Sequence, residues 1–316
     1  MAAQHKTKQY LLAFAKVLVL AITFGYIFYR IKNNPDIDFS AFFLTIVSKG
    51  AAVSYFLILF LVLAMLNWTF EILKWQNLVS SIDRIDFKTA LKQSLASLTV
   101  SLATPNRIGE YGAKALFFEK ENRKKILLLN FYSNAAQLTM TVVFGCVGLF
   151  YFLWNYEVVY SVGALLAILI GILVIGVLGY HFRKRELFVR GFSIANTLRF
   201  FQKFPSFQKL KVLVFSLLRY LIFSGMFYGM LLFFGSEVPI YTAMALIFAM
   251  YLLVSIVPTI FIFDVVVRGG VAVWLFSFVG IPELAVLSTV FLMWIFNFVV
   301  PSLIGSFFVI TYQPAT

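Results

Sequence analysis

Arg107, Glu110 and Lys114 stand three and then four residues apart in otherwise apolar sequence, within the stretch Ser101-Leu-Ala-Thr-Pro-Asn-Arg-Ile-Gly-Glu-Tyr-Gly-Ala-Lys114. If the chain is helical from Gly109 onward, that spacing places the charges on one face. Two chemistries are open to them. They can neutralise one another as an ion pair that anchors a bend. Alternatively Arg107, whose guanidinium is a fork of donors suited to phosphate, can meet an anionic headgroup at a helix N-terminus, with Thr104 and Asn106 adding hydroxyl and amide donors. Pro105, Gly109 and Gly112 oppose one continuous helix here. In hydrocarbon a broken backbone leaves N–H and C=O groups unpaired, so such a break persists only where protein or trapped water satisfies it. Thr104 to Gly112 is therefore a candidate site.

A second stretch repeats the elements more loosely, with Ser255-Ile-Val-Pro258 followed by Asp264, Arg268, Gly269 and Gly270. Asp264 and Arg268 are four apart, the spacing of a helical salt bridge, and either cover a bend or contact a ligand. Arg219 lies about two turns inside an apolar run, too deep to snorkel, so it is expected to face an interior cleft or a neighbouring acid. Asn130, Asn134 and Gln137 recur at i, i+4 and i+7, and Asn67, Glu71 and Lys74 form a shorter stripe earlier in the chain. Both stripes fit interhelical hydrogen bonding or ligand contact. Asn130 and Asn134 join the charged residues and Thr104 and Asn106 as candidate substrate contacts.

Enzyme chemistry finds little material. The two histidines, His5 and His181, lie in predicted cytoplasmic segments, and neither metal-ligand spacing nor a Gly-x-Ser-x-Gly nucleophile motif is present. No cofactor and no metal are expected. Glu110 and Asp264, the acids placed within the two breaks, leave a membrane-embedded transferase as a third-ranked reading. The single cysteine, Cys146, excludes a disulfide framework.

The elements that must position these residues follow from composition. The 316 residues are 62% hydrophobic and 12% charged, with a mean hydropathy of +0.93, above the apolar share of about half found in globular domains. Apolar runs of about twenty residues rather than short alternating segments make this an all-α polytopic membrane protein. Spans are predicted at residues 10–29, 50–70, 126–153, 158–180, 212–234 and 284–310. Residues 91–116 and 241–278 are predicted as re-entrant helix-break-helix elements. The alternative is eight conventional spans. With the N-terminus inside, most of the 26 Lys and Arg residues fall on the cytoplasmic side. The net charge of +13 then reads as membrane orientation rather than nucleic-acid binding, and the basic loop 181–211 is expected to rest on anionic lipid headgroups. The expected setting is a bacterial inner membrane with both termini cytoplasmic. The single membrane domain, 1–316, divides into repeats at 1–156 and 157–316 of opposite orientation, the plan of many transporters whose substrate sits at broken helices near the midplane.

Thr104-Pro105-Asn106-Arg107-Ile108-Gly109-Glu110 resembles the first motif, Thr-Pro-Gly-Arg-x-Gly-Glu, of the transmembrane region of lysylphosphatidylglycerol synthases, a flippase-like family that includes stand-alone proteins. Asn106 stands where glycine is usual. In the second motif Pro258 and Arg268 fit, whereas Asp264 to Val267 replace glycines and Gly269 replaces glutamate. The resemblance covers nearly the whole chain and implies movement of a lipid with a charged or sugar headgroup between leaflets. Bifunctional members continue into an aminoacyl-transfer domain, and lipid synthesis is not expected of this chain, which stops at Thr316. The main rival reading is a non-transporting scaffold or accessory subunit of lipid or envelope biosynthesis.

Overall fold

The computed structural model describes residues 46–102, 104, 108–158, 193–202, 204–257 and 261–312, with residues 40, 44, 177 and 180–182. The predicted first span, nearly all of the 158–180 span, Asn106, Arg107 and much of the basic loop lie outside the described residues.

Among those described, all regular structure is helical, and the chain is a polytopic helical membrane protein. The helices are α1 (Ala52–Val79), α2 (Phe87–Ser101), α3 (Gly109–Leu116), α4 (Arg123–Asn155), α5 (Ile194–Gln202), α6 (Ser206–Phe233), α7 (Ile240–Ile256), α8 (Phe261–Ser277), α9 (Glu283–Trp294) and α10 (Val300–Ile310). A π-turn, Ile295–Val299, joins α9 to α10, so Glu283–Ile310 is one continuous helical run. This run, α1, α4 and α6 are long and apolar enough to span a membrane. Their outer faces carry exposed leucine, isoleucine, valine and phenylalanine, such as Ile58, Val147 and Leu303.

The two predicted breaks separate α2 from α3 and α7 from α8. With eight residues, α3 is about 12 Å long and cannot cross a core of about 30 Å. Helices α7 and α8, of 17 residues each, reach about 25 Å. At the start of α2, Asp86 accepts a hydrogen bond from the Thr89 amide at 2.9 Å. The Thr89 hydroxyl and amide hold its carboxyl below the ordinary range. Gly235 and Gly280, with φ of 83° and 70°, take the left-handed turns that close α6 and α8 ahead of Pro239 and Pro282.

One expected boundary moves. The span predicted to stop at Phe70 continues as α1 to Val79, so Glu71 and Lys74 are buried helix residues rather than members of a polar connection. Their charges are tolerated there because each finds an opposite partner inside the protein.

Packing relates the two halves by exchange. Helices α1 and α6 pair in antiparallel fashion: Phe60 meets Phe233, Phe70 meets Phe215, and Asn77 donates to the Gln208 carbonyl. Helix α2 packs on α10, and α7, its counterpart, packs on α4. The contacts α2·α3, α3·α4 and α1·α2 are matched by α7·α8, α8·α9 and α6·α7. Each half's hairpin also meets the other half's last helix through an aromatic pair, Phe117 with Tyr312 and Phe278 with Tyr156.

Glycines set the depth of these exchanges. A Cβ at Gly305 would strike the Leu95 carbonyl oxygen of α2, and one at Gly148 would strike the Ala245 carbonyl oxygen of α7. Small residues at such positions let membrane helices approach backbone to backbone. Gly305→Val should therefore destabilise the protein by about 3 kcal/mol, at the upper end of ordinary overpacking. The check is a lower thermal unfolding midpoint in detergent. Gly225→Ala, where a Cβ meets nothing within 4 Å, is the control that should not lower it, since alanine is the better helix former.

Candidate functional site

The described ends of both hairpins, on either side of each break, line one cavity of about 610 Å³. From the first hairpin, Ser101, Leu102, Thr104, Glu110 and Lys114 line it; from the second, Val254, Ser255, Val257, Asp264 and Arg268 do. Arg219 of α6, Asn134 and Gln137 of α4, and Asn67 and Glu71 of α1 complete the polar wall. Of the residues the spacing singled out, Thr104, Glu110, Lys114, Asn134, Arg219, Asp264 and Arg268 thus share one wall. Asn130 is fully buried and absent from the lining; it acts on the cavity through Lys114.

At the first tip the break is stitched by a side chain. Thr104 Oγ1 donates to the Ser101 carbonyl and accepts the Gly109 amide, both at 2.8 Å. Helix α2 is thereby closed and α3 opened by one hydroxyl, where N–H and C=O groups would otherwise face hydrocarbon. A Cβ at Gly109 would come within 2.8 Å of that oxygen, which explains the glycine. Lys114, with a side chain only 1% exposed, donates to Glu110 Oε1 and to Asn130 Oδ1 at 2.8 Å each. Its ammonium also lies 4.3 Å from the centre of the Trp75 ring, whose Nε1 donates to Gln93 at 2.8 Å. Lys114 is held on three sides.

Between the tips, Glu71 accepts from Lys74 at 2.7 Å and from Arg219 Nη1. Arg219 Nη1 also donates to Gln137 Oε1 at 3.3 Å, and its Nε donates to the Asn67 carbonyl and side chain at 3.2 and 3.3 Å. None of these bonds uses Nη2, and the side chain keeps 19% of its surface exposed. At the second tip Arg268 Nη2 donates to Asp264 Oδ2 at 3.0 Å, and its guanidinium lies about 6 Å from the Phe223 and Tyr251 ring centres.

A family profile described as the lysylphosphatidylglycerol synthase TM region matches residues 14–305. The chain belongs to that family. It is accordingly an integral membrane protein of lipid metabolism or transport. Among curated proteins and solved structures, none matches it.

In this family member two parts of the site escaped the sequence reading. Glu71 and Lys74 were legible as a polar stripe with Asn67, yet they were placed in a connection between helices. The other part is the π-turn. Pro301 lacks an N–H, and a helical proline crowds the carbonyl four residues earlier, here that of Asn297. The freed Asn297 carbonyl accepts Trp68 Nε1 at 3.0 Å, while Asn67 donates to the Asn297 side chain at 2.9 Å. The bulge turns a polar residue of an apolar run into the cavity wall, a common use of π-turns. A proline four residues after an isolated asparagine was the available signal.

Proposed function

We propose that this protein is a flippase-like lipid transporter, rather than an enzyme, that moves a phospholipid or glycolipid with a charged or sugar headgroup between the leaflets of an inner membrane. Both termini would lie on the cytoplasmic side. The single observation that carries this reading is that residues flanking both helix breaks line one cavity walled by charged side chains. Substrate held at broken helices between inverted halves is exposed to either leaflet by rocking one half against the other. Glu110, Lys114, Arg219, Asp264 and Arg268 would contact the headgroup, with Thr104 and Asn134 beside them. Arg107 and Asn106 would add to the first tip, and Asn130 would position Lys114. Anionic lipids would meet the basic segment at Arg199, Lys209 and Lys211.

Reconstitution tests this. Proteoliposomes carrying a fluorescent phospholipid should lose signal beyond the outer-leaflet fraction when a membrane-impermeant reductant is added, and protein-free vesicles should not. Loss of only the outer-leaflet fraction in both would remove the transport reading. The double variant Lys209→Glu/Lys211→Glu, at a half-buried and an exposed position absent from the cavity lining, should translocate at the wild-type rate. A scaffold docking through its basic segment would instead lose its partner.

A further inference from the structure

We propose that Lys74 is a proton site linked to the cavity, holding its proton while an anion occupies Arg219 and releasing it when the anion leaves. Coupling of transport to protons rests on the transport reading above; the linkage of proton to anion stands on the geometry of three side chains.

Two cations share one oxygen. Lys74 Nζ lies 2.7 Å from Glu71 Oε2, and Arg219 Nη1 bonds the same atom. Among the described residues no second carboxylate pairs with either cation. The triad thus carries a positive charge that its own carboxylate does not answer, in an interior where such a charge is costly. The two cations differ in their means of relieving it. An arginine stays charged in a protein, whereas the amine of an interior lysine can give its proton up. With Lys74 neutral, Glu71 and Arg219 remain as a balanced pair. With an anion on the open side of Arg219, Lys74 and Arg219 face two negative charges and the protonated triad is balanced instead. Proton and anion therefore favour each other's binding, and the effect is reciprocal.

Depth sets the route of the proton. Arg219 and Glu71 line the cavity with side chains 19% and 9% exposed, and Lys74 stands behind them, absent from the lining and 1% exposed. Its way out is through Glu71. The Nζ–H bond breaks as an O–H bond forms on Oε2, the nitrogen keeps the electron pair, and the proton passes on to water in the cavity. Glu71 is then ionised again beside Arg219.

The surroundings point to Lys74 rather than another group. Helix α1 packs on α2, α4, α6 and the π-turn. Besides Arg219, these elements bring the neutral side chains of Ser94, Asn134, Gln137 and Asn297 to the cavity that Glu71 lines. Lys114 of α3 is within electrostatic reach of Glu71 and Lys74, but it has Glu110 as its own carboxylate, with Asn130 and the Trp75 ring. Asp264 and Arg268 pair with each other. Arg107, outside the described residues, is a further guanidinium and supplies no proton.

Calorimetric titration of the purified full-length protein in neutral detergent tests the linkage. Phosphatidylglycerol is the probe, because a phosphodiester lacks the second ionisation that a phosphomonoester has near about pH 6. Repeating the titration in buffers of different ionisation enthalpy counts the protons taken up per anion bound. The wild type should take up a proton, and its affinity should fall as pH rises between about pH 6 and about pH 10, by up to about tenfold per pH unit. Lys74→Met leaves the balanced Glu71–Arg219 pair, so it should keep the wild-type elution profile. It should take up no proton and bind at every pH with the weak affinity of the wild type at high pH. Lys74→Arg, charged throughout, should also take up none and bind with the low-pH affinity of the wild type. Unchanged uptake by a folded Lys74→Met protein, or wild-type binding indifferent to pH, would overturn the proton site. In proteoliposomes a pH gradient should shift the leaflet distribution of a fluorescent anionic phospholipid for the wild type and not for Lys74→Met. A transporting wild type that ignores the gradient would overturn the coupling. Proton uptake on binding without any translocation would uphold the proton site and count against the transport reading alone.

Discussion

Replacing Glu71 with leucine should cost the protein its fold. The carboxylate is the shared partner of Lys74, which is 1% exposed at its side chain, and of Arg219. Without it two cations face each other in the interior with no opposing charge. Breaking a buried pair by removing one member costs about 3 to 5 kcal/mol, and here one deletion breaks two. That is a large part of the roughly 5 to 15 kcal/mol that holds a typical domain folded. The expected result is aggregation on detergent extraction, read by size-exclusion chromatography. Glu71→Leu combined with Lys74→Met should recover a monodisperse peak, because the remaining cation, Arg219, still has Asn67, Gln137 and the open cavity. A monodisperse single variant with an unchanged unfolding midpoint would show that the triad is not needed for stability.

The legible parts of the structure were those in which local chemistry and global position agree. A proline and glycines among apolar residues mark the first break because hydrocarbon does not tolerate free backbone groups, and Thr104 supplies the required partner within the break itself. Asp264 and Arg268, four apart, form the expected helical pair. Arg219 was recognisable from depth alone, since a guanidinium so far inside an apolar run needs an interior partner. Its partner was not recognisable, because hydropathy ends a span at the first charges and so removed Glu71 from the membrane. Charges facing protein rather than lipid do not obey that rule, and the spacing of Asn67, Glu71 and Lys74 on one face was the clue that α1 continues.

Other parts had no local signature. Tyr220, Tyr251 and Trp294 line the cavity, but in a chain with 38 phenylalanines and 15 tyrosines an aromatic residue in an apolar helix is ordinary packing. What distinguishes Tyr220 and Tyr251 is a buried hydroxyl with no partner among the described residues, which only the three-dimensional arrangement reveals. The exchange of packing between halves is likewise carried by Gly145, Gly148 and Gly305, each of which would clash with the opposite half if it bore a Cβ. Glycines in membrane helices serve too many purposes for sequence to single these out.

Arg219→Gln should produce the opposite outcome from Glu71→Leu, a folded protein that no longer binds an anionic lipid. Removing Arg219 leaves Glu71 paired with Lys74 at 2.7 Å, a neutral pair, so no charge is stranded. Glutamine can still meet the Asn67 carbonyl and the Gln137 side chain that Arg219 now contacts. What disappears is a cation of the cavity wall, together with the donor fork that suits a phosphate. Hydrogen bonds to charged groups contribute about 1.5 to 3 kcal/mol each, so affinity for phosphatidylglycerol should fall by about 10- to 150-fold. Arg219→Lys keeps the charge but not the fork, and should recover only part of the loss. Titration of each variant in nanodiscs, beside its unfolding midpoint, separates the two effects. Wild-type affinity in a folded Arg219→Gln protein would place the phosphate elsewhere, with the Arg268 pair at the second hairpin as the next position to test.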